Sequence, residues 1–81
     1  MAEKKLMPKL YSSWEIEFGL QKLGFSFISQ KGSHGKFKNS AGRVVILPMY
    51  KREIPTGTFK SILRQMGITQ EDFEKLLRGE Y

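Results

Sequence analysis

The sequence predicts an α+β domain in which a three-stranded antiparallel sheet carries helices on one face, in the order α-β-β-β-α-α. Apolar residues recur at helical spacing near both ends of the chain, whereas the middle alternates with the period of two that is typical of strands. Short turn sequences separate the strand-like segments, and such connections favour an antiparallel meander.

The first helix is predicted to begin near Ser12, because Ser12 and Glu15 have the spacing of a capping box. Gly24 is expected to end it, since glycine readily adopts the left-handed conformation found at helix C-termini. Between them, three apolar residues form one helix face: Ile16, Leu20 and Leu23.

Three strands are predicted next, at residues 25–30, 34–39 and 43–47. In the first strand we expect Phe25, Phe27 and Ser29 to share a face, from the period of two. Turns are expected at residues 31–33 and 39–42, and Pro48 is expected to end the third strand.

Two further helices are predicted after a basic loop at residues 49–57. The second helix follows Pro55, ends at Gly67 and has an amphipathic face formed by Phe59, Ile62, Leu63 and Met66. Thr69 is expected to cap a short third helix, whose buried residues are Phe73, Leu76 and Leu77.

The length of 81 residues suits one domain and is near the lower limit for a fold held by its apolar core alone. We predict an irregular lead-in over residues 1–11 and a single domain over residues 12–81. The chain has no cysteine and one histidine, which excludes disulfides and disfavours a structural zinc site. With no apolar run typical of a signal peptide or membrane span, we expect a cytoplasmic protein with no membrane partner and no cofactor.

Lysine and arginine outnumber aspartate and glutamate by 14 to 8, for a net charge of +6. Such an excess favours a polyanionic partner, most often nucleic acid, although a solvated surface is the simpler alternative. The basic residues dominate residues 31–38 and 43–64, whereas the acidic residues concentrate in the first helix and near the C-terminus. This uneven distribution favours nucleic acid.

The only histidine, His34, lies in this basic segment, between Gly32 and Gly35. Imidazole is the side chain whose ordinary pKa allows proton transfer near neutral pH. If Phe37 points into the core, strand periodicity places His34, Lys36 and Lys38 together on the opposite face. An isolated surface histidine usually has no function, so the hypothesis that His34 is functional depends on its basic surroundings.

Six residues are candidates for RNA contacts, each with a solvated surface group as the alternative: Lys31, Ser33, Lys36, Lys38, Lys51 and Arg64. For Trp14 and the phenylalanines at core positions of their elements, burial is favoured over base stacking; these phenylalanines are Phe25, Phe37, Phe59 and Phe73. Tyr50 is the exception, because it lies in the basic loop, where it can stack on a base or donate a proton.

The order and spacing of several short motifs resemble the HicA toxins, also described as YcfA-like proteins. The resemblance spans about residues 12–77, and its motifs are Leu23-Gly24-Phe25, Gly32-Ser33-His34, Arg43-Val44-Val45-Ile46-Leu47-Pro48, Ile54-Pro55-Thr56-Gly57-Thr58, Ile62-Leu63 and Met66-Gly67-Ile68.

The resemblance implies a fold like a double-stranded-RNA-binding domain, action as an mRNA interferase and neutralisation by a HicB antitoxin. It also implies that His34 is catalytic, since the family's catalytic histidine is that of the Gly-Ser-His motif. Many members have a second histidine shortly after the proline that ends strand three. This sequence has Tyr50 there, which disfavours a mechanism in which two histidines act as acid and base.

RNA cleavage without a metal needs a proton taken from the 2′-hydroxyl, charge stabilisation on the phosphate and a proton given to the leaving oxygen. His34 can perform one of these proton transfers. The carboxylates lie mainly in predicted helices, which disfavours a catalytic metal. We therefore expect a metal-independent endoribonuclease. The alternatives are a non-catalytic double-stranded-RNA-binding module and a degenerate family member that only binds an antitoxin.

Overall fold

A computed structural model describes residues 9–81 of the chain. Its elements follow the predicted order: α1 (Ser13–Lys22), β1 (Ser26–Lys31), β2 (His34–Lys38), β3 (Val44–Pro48), α2 (Thr56–Met66) and α3 (Gln70–Arg78). The strands form one antiparallel sheet in the order β1-β2-β3. Within the described residues, no helix is long and apolar enough to cross a membrane.

The sheet has one covered face and one open face. Phe37, Val45 and Leu47 are fully buried, and they join one core cluster with apolar residues of all three helices. Their neighbours along β2 and β3 alternate with them and are exposed, apart from the half-buried Pro48. The predicted α+β fold with helices on one face is therefore confirmed.

The predicted capping box of α1 is present. Ser12 Oγ accepts from the backbone N–H of Glu15, and Glu15 Oε1 accepts from the backbone N–H of Ser12. The second bond holds the pKa of the Glu15 carboxyl below its ordinary value, because it favours the charged form; Lys9 adds to this effect. Thr69 caps α3 as predicted, and Gly67 ends α2 with a positive φ of 79°.

A β-bulge in β1 corrects the predicted alternation of that strand. Phe27 pairs with Phe37, but Ser29 pairs with Lys36, so Ile28 is an extra residue without a partner in β2. Paired residues of antiparallel strands lie on the same face. Phe27 therefore lies on the covered face and Ser29 on the open face, whereas strict alternation would place both on one face.

The predicted lead-in over residues 1–11 lies mostly outside the described residues, but its last residue belongs to the core. Tyr11 is 5% exposed, and its ring centroid lies 5.0 Å from that of Phe59 and 5.2 Å from that of Phe73. Burial, followed by the negative charge of Glu74, raises the pKa of the Tyr11 hydroxyl. Trp14, which the sequence places in the core, is instead 55% exposed.

Candidate nucleic-acid interface and catalytic site

His34, Lys36 and Lys38 are exposed and share the open face of the sheet, as the periodicity of β2 predicts. The buried residues between them are Gly35 and Phe37. The positions opposite them on β3 are Pro48, Ile46 and Val44. The open face is therefore a mixture of cations and apolar side chains around a single imidazole.

The bulge at Ile28 adds β1 side chains to this surface. After the bulge, Ser29 lies opposite Lys36, and Lys31 lies opposite His34. Without the extra residue, both β1 side chains would be on the covered face. Both β1 side chains line a cleft of about 650 Å³, which we call the first cleft. Its lining residues are Ser29, Lys31, His34, Lys36 and Ile46.

A second cleft, of about 280 Å³, lies where β3 ends and α2 begins. Its lining residues are Ser33, His34, Pro48, Lys51, Ile54, Pro55 and Thr58. His34 is the residue that lines both clefts. The imidazole therefore lies at the junction of a larger cleft on the open face and a smaller one at the end of the sheet.

The loop that carries Lys51 is held by Ser13, a residue of α1 that is only 2% exposed. Ser13 Oγ donates to the carbonyl of Pro48 at 2.6 Å and accepts from the backbone N–H of Lys51 at 2.9 Å. The backbone N–H of Ser13 donates to the carbonyl of Lys51, also at 2.9 Å. Because Pro48 pairs with His34, these bonds set the backbone of Lys51 relative to the histidine.

Tyr50, within this loop, lines neither cleft. It has a positive φ of 63°, a conformation uncommon for a residue with a bulky side chain. Its hydroxyl accepts from Gln30 Nε2 at 3.1 Å, and Gln30 Nε2 also donates to the carbonyl of Gly32. Tyr50 thus links the loop to the β1–β2 turn beside His34.

The cations near His34 are not neutralised by described carboxylates. Within residues 9–81, the ion pairs are Lys9–Glu15 and Arg78–Glu80, both remote in sequence from the clefts. The same residues contain no group of three or more histidine, aspartate or glutamate side chains that could hold a metal ion. Lys31, Lys36 and Lys51 therefore supply uncompensated positive charge around the imidazole.

The predicted site residues divide into two groups. Four of the candidate RNA-binding residues line a cleft that His34 also lines. Lys31 and Lys36 line the first cleft, and Ser33 and Lys51 line the second. Lys38 lies on the open face at the other end of β2, and Arg64 is exposed on α2 in the helix layer.

The sequence reasoning missed four further residues that shape the site: Ser13, Ser29, Ile46 and Thr58. Ser29 and Thr58 carry no recognisable signal in the sequence, because the first depends on a bulge and the second on how α2 meets β3.

A family model described as the HicA toxin of bacterial toxin–antitoxin systems matches residues 15–68. The match covers more than half of the chain and includes His34, the whole sheet and α2. No curated protein matches the chain significantly. The matched region contains the motifs that suggested this family from the sequence. The chain belongs to the HicA family of bacterial toxins.

Proposed function

We propose that this chain is a metal-independent endoribonuclease that cleaves mRNA, with His34 as the acid or base. The observation that carries the proposal is the position of His34 at the junction of the two clefts, among three lysines without described carboxylate partners. Membership of a toxin family agrees with it.

In the proposed reaction, the 2′-hydroxyl oxygen attacks the adjacent phosphorus, and the bond from phosphorus to the 5′ oxygen breaks. The products are a 2′,3′-cyclic phosphate and a 5′-hydroxyl. His34 exchanges a proton with one of the two oxygens that change their bonding. Lys36 or Lys31 on the same face stabilises the negative charge that develops on the phosphate oxygens.

The test compares wild-type protein with His34→Ala on RNA in the presence of EDTA. Wild type should cleave and leave cyclic or 3′-phosphate ends. His34→Ala should keep its fold and most RNA binding, while cleavage falls by a factor of at least about one hundred. If folded His34→Ala cleaves as fast as wild type, the catalytic role is wrong. If wild type is inert on every RNA tested, the RNA-binding module is the better proposal.

RNA binding is proposed to be mainly electrostatic, since the open face carries Lys31, Lys36 and Lys38. Each lysine or arginine that neutralises a phosphate releases counterions, so losing one contact should reduce the salt slope of binding by about one unit. Lys36→Ala tests the open face, and Arg64→Ala tests the helix layer. If neither changes the affinity or its salt dependence, the proposed basic surface is misplaced.

The proposed protein partner is a HicB-like antitoxin, on the grounds of family membership. Co-expression with such an antitoxin should relieve growth inhibition by wild type. Inhibition that persists although the two proteins are co-expressed at equal levels would contradict this partner.

A further inference from the structure

The two clefts that meet at His34 differ in size and lining. The first cleft, at about 650 Å³, lies within the range of about 300–1,000 Å³ usual for small-molecule sites. The second, at about 280 Å³, lies just below that range. The first therefore has room for a nucleoside unit, and the chemistry of its lining, rather than its size, decides which group the second can bind.

The lining of the second cleft suits an anion. Lys51 supplies the positive charge, and Ser33 and Thr58 supply hydroxyl groups that can donate hydrogen bonds. Its other lining residues besides His34 are Pro48, Ile54 and Pro55, which carry no side-chain charge. Glu53, the carboxylate nearest in sequence to Lys51, is not among the lining residues.

The backbone of this cleft is held in place before any ligand binds. Both the N–H and the C=O of Lys51 are bonded to Ser13, and Ser13 Oγ also holds Pro48. The backbone N–H of Met49 donates to the carbonyl of Ser33 at 2.7 Å, which ties the loop to the turn before His34. Such preorganisation lowers the entropy lost when a ligand is bound.

We propose that the second cleft is a phosphate subsite, in which Lys51 binds the phosphate one linkage away from the scissile phosphate. The RNA strand then passes over His34, with the scissile phosphate at the junction and one nucleoside in the first cleft. This assignment rests on the ribonuclease activity proposed above. It gives Lys36 and Lys51 different phosphates, although both are surface lysines.

The test is a set of short RNAs, cleaved at one site, in which single linkages next to that site are replaced by neutral methylphosphonates. For wild type, one neighbouring replacement should lower kcat/KM by about tenfold, the loss expected for one charge-assisted hydrogen bond. Lys51→Ala should show a similar loss on unmodified RNA and no further loss on that modified RNA. Lys36→Ala should remain sensitive to it.

Two controls complete the design. Lys22→Ala removes the same charge from an exposed position on α1, in the helix layer behind the sheet, and should behave as wild type. Lys51→Arg keeps the charge and should keep the sensitivity.

The subsite is refuted if wild type tolerates a neutral linkage at both neighbouring positions. It is also refuted if Lys51→Ala stays as sensitive as wild type to the same replacement. Failure of the ribonuclease proposal gives a different result, because then wild type does not cleave unmodified RNA or His34→Ala cleaves it equally well. A lost subsite with intact cleavage therefore leaves the role of His34 standing.

Discussion

Ser13→Ala tests how strongly the loop beside His34 is held. Ser13 is 2% exposed, and the substitution removes its side-chain oxygen, which donates to the Pro48 carbonyl and accepts from the Lys51 N–H. A typical hydrogen bond contributes about 0.5–1.5 kcal/mol net, and a buried group left without a partner costs more. We expect the free energy of unfolding to fall by about 2–3 kcal/mol, which lowers the midpoint of thermal unfolding by roughly 10–20 °C.

Urea unfolding measures this loss, and hydrogen exchange at the Lys51 amide measures the local effect. Exchange at that amide should accelerate more than exchange in the core of β2. The matched control is Ser40→Ala, because Ser40 is an exposed serine in the β2–β3 turn. That control should change stability by less than about 0.5 kcal/mol. A loss for Ser13→Ala as small as that of the control refutes the role of Ser13 in holding the loop.

Three further changes test the core, a close approach and a cap. Phe37→Ala should cost roughly 3–5 kcal/mol in urea unfolding because Phe37 is fully buried; a cost below about 1 kcal/mol contradicts its place in the core. Gly19→Ala should destabilise the protein, since a Cβ there would lie 2.6 Å from Phe73 Cε1. Gly57→Ala is the control: a Cβ there meets open space, so the substitution should stabilise the protein by about 0.5–1 kcal/mol. Equal effects of the two substitutions would show that the contact with Phe73 is unimportant. Folding lowers the Glu15 pKa from 4.5, so the ionised carboxylate stabilises the fold above that pH, and this stabilisation is lost as the pH falls through the folded pKa. The unfolding free energy of wild type should therefore exceed that of Glu15→Gln by less at pH 3 than at pH 6. A difference that stays constant with pH would contradict this.

Short local sequence patterns predict much of the fold. The caps at Ser12 and Thr69 use bonds within one helical turn, so a few neighbouring residues suffice to predict them. The shared face of His34, Lys36 and Lys38 follows from strand geometry alone, once Phe37 is assigned to the core. These features need only the residues near each position.

The features missed from the sequence depend on contacts between distant residues. The register of β1 against β2 introduces the bulge at Ile28, and that bulge decides the face of Ser29 and Lys31. Ser13 meets Pro48 and Lys51 only when α1 packs near the end of β3.

The sequence by itself therefore determined the order of elements, most of the core and the exposed face of β2 that carries His34. Tertiary structure alone decided that His34 lies between two clefts, because each cleft is assembled from several elements, and the strand register and the packing of α2 against β3 set their shape. A periodic pattern records which side of its own element a residue occupies. It does not record which other element packs beside that residue, and this packing determines the shape and charge of the site.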